Sequence, residues 1–257
     1  MPLSRKMMLK RNSIDKEQTV AAIVNNDYRT ADVFRKYNIE YCCGGKYPLH
    51  MACQIQGVEE EEVLRDLEAA TREVNTSNTL DFNGWHIDFL TDYIVNVHHH
   101  YLRKALPGVK DYVDRFADGH RKKYPYLEEL QNVILQLHHS FIPHLEQEEE
   151  VIFPYIRQIS HAYYSRESYA SLLVRTLRKP VEEMMQHEHD TTAKLIKRMR
   201  GLTDQYNPPE NACISHRVTF HKLKEVDNDI VQHLHLENNI LFPKAIAMEK
   251  ELLQHRD

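Results

Sequence analysis

The pattern His-x-x-x-Glu-x-x-x-x-Phe-Pro occurs twice in this chain. The first copy is His144, Glu148, Phe153 and Pro154; the second is His233, Glu237, Phe242 and Pro243. The copies lie 233 − 144 = 89 residues apart. A histidine and a glutamate four residues apart share one helix face, about 6 Å apart along the axis. One such pair can supply two ligands to a metal ion. Two pairs facing each other across a helical core can hold a two-metal centre.

The repeat extends upstream. His99 precedes His144 by 144 − 99 = 45 residues, and His189 precedes His233 by 233 − 189 = 44. The first helix of each hairpin then gives one histidine, and the second gives a histidine and a glutamate. Such matching describes a duplicated helical hairpin with pseudo-twofold symmetry. An isolated His-x-x-x-Glu is ordinarily a surface polar pair. Two copies with the same Phe-Pro ending, each preceded by a further histidine, argue for metal binding instead.

The rest of the chain agrees with long helices. Only seven glycines and ten prolines occur in 257 residues, which disfavours an all-β fold. Four helical stretches are expected near 85–119, 123–160, 166–203 and 211–253, with breaks at Gly119, Ser165, and Gly201 with Pro208-Pro209. Pro107 and Pro180 predict a kink or short break within the first and third. Short connections argue for an all-α, antiparallel up-down four-helix bundle preceded by a small helical module. The expected division is a flexible tail at 1–14, the small module at 15–74, a polar linker at 75–82 and the bundle at 83–257. Within the module, a helix from Thr19 to Tyr37 is interruptible at Asn25-Asn26-Asp27. Pro48 opens a second helix that Gly57 closes, and an acidic third helix carries Val63, Leu64, Leu67 and Ala70.

A formal charge of −5 argues against a broad nucleic-acid footprint. No apolar run approaches the ~20 residues of a membrane span. The basic start lacks the apolar segment of a signal peptide, and four cysteines do not make a secreted disulfide framework, so a cytoplasmic location is expected.

Four histidines and two glutamates suit two metal ions. Each ion can take two imidazoles, and both carboxylates can bridge. A position then remains for an oxo, hydroxo or exogenous ligand. Ligation by nitrogen and oxygen without thiolate suits iron or manganese, with zinc also allowed, and redox chemistry with small molecules favours iron. His98, His99 and His100 are consecutive, and one helix face normally presents one of them; the spacing of about 45 residues and the family resemblance given below together select His99, and His98 and His100 are expected to pack or hydrogen-bond. The Phe of each Phe-Pro is expected to plug the bundle below the site, and the proline to stop or kink the helix. Glu146, Gln147, Glu149 and Glu150 read as a solvated acidic face, and Glu188 as a further carboxylate near the site. Cys42-Cys43, followed by Gly44-Gly45, reads as a redox, metal-transfer or nitrosylation element, against the plainer reading of two small apolar residues at a turn; a vicinal disulfide closes only a strained ring, and a thiolate is favoured near a helix N-terminus. Cys53 and Cys213 read as ordinary cysteines.

The chain resembles the di-iron proteins that repair iron–sulfur clusters, the repair-of-iron-centres family. The resemblance rests on Phe34-Arg-Lys-Tyr37, Tyr41-Cys-Cys-Gly-Gly-Lys46, His98-His99, Pro107, Glu188-His189-Asp190 and the two His-x-x-x-Glu segments, the second continuing as Asn-Asn-Ile-Leu-Phe-Pro. It implies a hemerythrin-like bundle in which His99, His144, His189 and His233 bind two irons and Glu148 and Glu237 bridge them. It also implies repair of clusters damaged by nitric oxide or peroxide, with damaged iron–sulfur proteins as partners and Cys42 and Cys43 matching the family's cysteine pair. Iron donation by a labile centre is the leading activity. The alternatives are nitric oxide reduction at the diferrous site, which would make the protein an enzyme, and non-enzymatic oxygen or nitric oxide sensing. An exposed small module leaves a homodimer open.

Overall fold

A computed structural model describes residues 14–41, 45–71, 80–166 and 181–254, with side chains in the last stretch from 189 onward. The expected tail and most of the linker lie outside these residues, as do Cys42, Cys43, Pro180 and the side chain of Glu188. The described residues contain no β-strand and are mostly helical. The described residues fall into two compact units: those up to 71 together with 210–218, and the others from 80 onward.

In the first unit, α1 (Val20–Asn26) begins where Thr19 Oγ1 accepts the Ala22 N–H at 3.2 Å. It ends at Asp27, whose carboxylate accepts the Arg29 N–H at 3.0 Å and turns the chain into α2 (Thr30–Lys36). α3 (Leu49–Gln56) follows Pro48 and closes at Gly57, which adopts the left-handed φ of 66° that an L side chain resists. α4 (Glu60–Thr71) turns Val63 and Leu67 inward. Val20, Ile23, Phe34, Leu49 and Cys53 complete this small core. Gly45 is required there: a Cβ would collide with the Tyr41 carbonyl, and the Gly45 carbonyl accepts the Ala21 N–H at 2.9 Å.

The second unit is built from long helices, and three of its arms change pitch along their length. A 3₁₀ turn at Phe82–Gly84 leads into the first arm: α5 (Ile87–Tyr93), a π turn π1 (Ile94–His99) and α6 (His100–His120). The next arm is α7 (Tyr126–Gln147), π2 (Glu148–Ile152) and α8 (Phe153–Ser165). After α9 (Val181–Leu202), the last arm is α10 (Ile214–Leu236), π3 (Glu237–Leu241) and α11 (Phe242–Gln254). α7 packs against α6 and α9, and α8 against α5 and α11, as an antiparallel bundle requires.

Of the two outcomes expected at Pro107, Pro154 and Pro243, a break or a kink, the break does not occur. Pro107 lies inside α6, which runs on through it. Pro154 and Pro243 do not end their helices; each comes just after a π turn and enters a further helix of 13 residues. The widened turn accommodates the missing proline N–H and the bulk of its ring.

Candidate metal centre

The six side chains selected by the repeat converge in the core of the second unit. Solvent reaches none of His99, His233, Glu148 and Glu237 (0 % exposed), and reaches His144 (2 %) and His189 (6 %) only slightly. Below them an apolar layer includes Leu90, Ile94, Ile156, Ile159 and Leu241. Beyond them Leu106, Leu130, Leu137 and Phe141 are also fully buried.

Among the described residues, two sets of four have donor atoms mutually within 4.8 Å: His99, His233, Glu148 and Glu237, and His144, His189, Glu148 and Glu237. Each set pairs histidines from opposite halves of the repeat and shares both carboxylates. The two oxygens of Glu148 face different ways. Oε1 lies 3.1 Å from His144 Nε2 and 3.8 Å from His189 Nε2. Oε2 lies 3.4 Å from His99 Nε2 and 3.6 Å from His233 Nε2. Glu237 Oε2 stands 3.5 Å from His189 Nε2 and 3.5 Å from His233 Nδ1. The Nε2 atoms of His99 and His233 are 2.9 Å apart.

None of the four carboxylate oxygens has a hydrogen-bond partner, although all are buried. An unsatisfied buried carboxylate is expensive, and removing one partner of a buried ion pair costs on the order of 3–5 kcal/mol. The electrostatics are divided. Burial pushes the Glu148 carboxyl up, but the four surrounding rings outweigh it and hold Glu148 well below the usual range. Burial, together with the neighbouring Glu148 charge, pushes Glu237 well above that range. Burial also lowers His233 to about 4, against the pull of Glu148, so this ring stays neutral and available as a ligand near neutral pH. Two buried acidic side chains among four imidazoles, with donor atoms converging on two shared points, fit a pair of divalent cations of the iron, manganese or zinc class.

The π turns explain the spacing to Phe-Pro. In an α-helix, residues five apart point roughly 140° away from each other. In π2 and π3 the Phe153 and Phe242 N–H groups bond to the carbonyls of Glu148 and Glu237, five residues back, so each Phe returns close to the face of its Glu. Phe153 stacks on the His99 ring (centroids 5.5 Å, 26°) and Phe242 on the His189 ring (6.1 Å, 19°). The Phe is thus an apolar wall fixing the orientation of one histidine in its own half.

One of the neighbouring residues, Glu149, sorts differently from the sequence expectation. His98 and His99 are both buried in π1; His98 Nδ1 contacts Asp229 Oδ1 at 3.1 Å, and His100 is exposed. Glu149 is not part of a solvated face: His99 Nδ1–H donates to its Oε1 at 2.7 Å, and Arg103 Nη1 donates to the same oxygen at 2.7 Å. At the matching position of the other half, Asn238 Oδ1 accepts the His189 Nδ1–H at 2.9 Å. Both acceptors fix their ring's proton on Nδ1 and leave the Nε2 lone pair facing the carboxylates. The sequence signal for this pair was their shared place, one residue after each shared glutamate. His138, His139 and His235 lie outside both sets of four.

Two known domain families match this chain, one after the other. Residues 90–245 match the hemerythrin HHE cation binding domain, and residues 16–71 match ScdA_N, a domain of unknown function (DUF542). The iron-sulfur cluster repair protein ScdA of Staphylococcus haemolyticus is 30% identical over 90% of this chain and 99% of its own length. This chain belongs to the hemerythrin-like iron–sulfur cluster repair family. A second ScdA, from Staphylococcus epidermidis, is 28% identical over 90% of this chain and 99% of its own. The iron-sulfur cluster repair protein YtfE of an Enterobacter species is 27% identical over 91% of this chain and 99% of its own. Family membership thus covers the small unit as well as the bundle. No helix among the described residues is long and apolar enough to cross a membrane.

Proposed function

We propose that His99, His144, His189, His233, Glu148 and Glu237 hold two iron ions, and that the protein supplies iron from this centre to iron–sulfur clusters damaged by nitrosative or oxidative stress. The observation that carries this reading is the division of Glu148, one oxygen toward His144 and His189 and the other toward His99 and His233. Glu148 and Glu237 would span the two positions, and each position would take two imidazoles. Iron bound there would supply redox chemistry and a coordination position for nitric oxide, oxygen or a bridging oxo or hydroxo group.

The residues of this chain do the rest. Glu149 and Asn238 hold the protons of His99 and His189 on the outer nitrogens. Phe153 and Phe242 wall the rings. The apolar layers exclude bulk water, which strengthens attraction between the carboxylates and a cation. His189, the most exposed of the six, marks the side on which the core is thinnest. Cys42 and Cys43 would receive or pass on iron, or act in redox, with damaged iron–sulfur proteins of the cytoplasm as clients.

The test is to incubate iron-loaded protein with an iron–sulfur enzyme whose cluster has been removed or nitrosylated. Activity should return faster than with the same amount of free ferrous iron; equal recovery would contradict donation. Cys42→Ala with Cys43→Ala should keep its iron and lose this advantage. Release of nitrous oxide in an anaerobic single turnover with nitric oxide would instead identify a reductase.

A further inference from the structure

The two halves place an acceptor at the same position but with a different charge. In the first, Glu149 presents a carboxylate to His99 Nδ1–H, and Arg103 clamps the accepting oxygen. In the second, Asn238 presents a neutral amide oxygen to His189 Nδ1–H. An anionic acceptor draws the Nδ1 proton outward and raises electron density at Nε2, which makes that imidazole the stronger donor toward a metal. An amide does so much less. The charge on Arg103 offsets part of the negative field, but it also fixes the carboxylate in line with the ring. Burial acts in the same direction: His99 and His233 are fully enclosed, whereas His144 and His189 are the two ligand candidates that solvent touches.

We infer that Glu149 and Asn238 are positioning residues that make the two metal positions unequal, so that the His99–His233 position retains its iron while the His144–His189 position gives its iron up first. The inference rests on the di-iron reading proposed above and adds an order of release to it. It also gives the repeat a use for its asymmetry, since one position can hold the shared carboxylates in place while the other is emptied and refilled.

The experiment follows iron release from the full chain, loaded anaerobically with ferrous iron and challenged with a colorimetric ferrous chelator. The wild type should release its iron in two phases of equal size. Glu149→Gln, which keeps the shape and removes the charge, should speed the slow phase ~10–100-fold and leave the fast phase alone. Asn238→Asp should slow the fast phase by a comparable factor. Mössbauer spectra of loaded protein should show two doublets of equal area, only one of which shifts in Glu149→Gln. A single release phase from protein that holds two irons would overturn the inference and leave the di-iron reading standing. A Glu149→Gln variant in which the fast phase alone changes, or neither phase does, would overturn it in the same way. Wild-type protein that binds no iron would overturn both.

Discussion

The two hairpins of the bundle carry the same side chains at matched places, but their backbones differ at the first histidine. His99 ends the π turn Ile94–His99, whereas His189 sits within the uninterrupted α9. The second arms agree with each other: Glu148 and Glu237 each open a π turn that returns a Phe close to the face of its Glu. The shared feature is therefore tied to the glutamate and its Phe, and the unshared one to the neighbourhood of His99. There the widened turn buries two consecutive histidines, which a regular helix face would not do. The duplicated geometry fixes a donor set, and departures from it fix how each donor is supported.

The largest effect that could break the equivalence of the shared glutamates comes from removing both. Glu148→Leu with Glu237→Leu should lower iron from about two per chain, as expected of a carboxylate-bridged bundle core, to near zero. Helicity should survive, because Leu suits a core position. Full iron occupancy in this variant, measured by metal analysis, would end the bridging assignment. Next are the two walls. Phe153→Ala and Phe242→Ala should each cost roughly 3–5 kcal/mol in denaturant unfolding. Phe153 should cost the more, since it is 2 % exposed against 6 % for Phe242. A Phe242 cost well above that of Phe153 would show that the stacked pairs are not equivalent packing units. The smallest effect concerns the prolines. Pro154→Ala and Pro243→Ala should keep their iron and shift stability by about 1 kcal/mol or less. Iron loss in either would mean that proline, rather than the bond from the Phe N–H to the Glu carbonyl, holds the π turn.

Much of the fold was legible because histidine, glutamate and the apolar positions recur at helical spacing, and because glycine and proline mark the connections. The His-x-x-x-Glu reading survives the π turns because each turn begins at the Glu, after the pair is already set on one α-helical face. Each Phe was legible as a plug of the bundle, but its contact with a histidine ring was not. An α-helix would turn a residue five positions on well away from its Glu, and only the wider turn brings it against the ring. The partnership of His99 with His233, and of His144 with His189, depends on how four helices are arranged in space, which spacing along one helix does not encode. Glu149 read as one of several surface acids because its role depends on the rotation of His99 and on Arg103, both on another helix. The roles of Cys42 and Cys43 rest on the sequence and on family membership, since the pair lies outside the described residues.

The most direct test of the central claim is iron analysis combined with the optical spectrum of the purified, air-oxidised protein. The protein should hold about two irons per chain, as expected of a carboxylate-bridged bundle core, with charge-transfer bands from a bridging oxygen to ferric iron. A protein that holds one iron or none after anaerobic ferrous loading, while remaining fully helical, would contradict it.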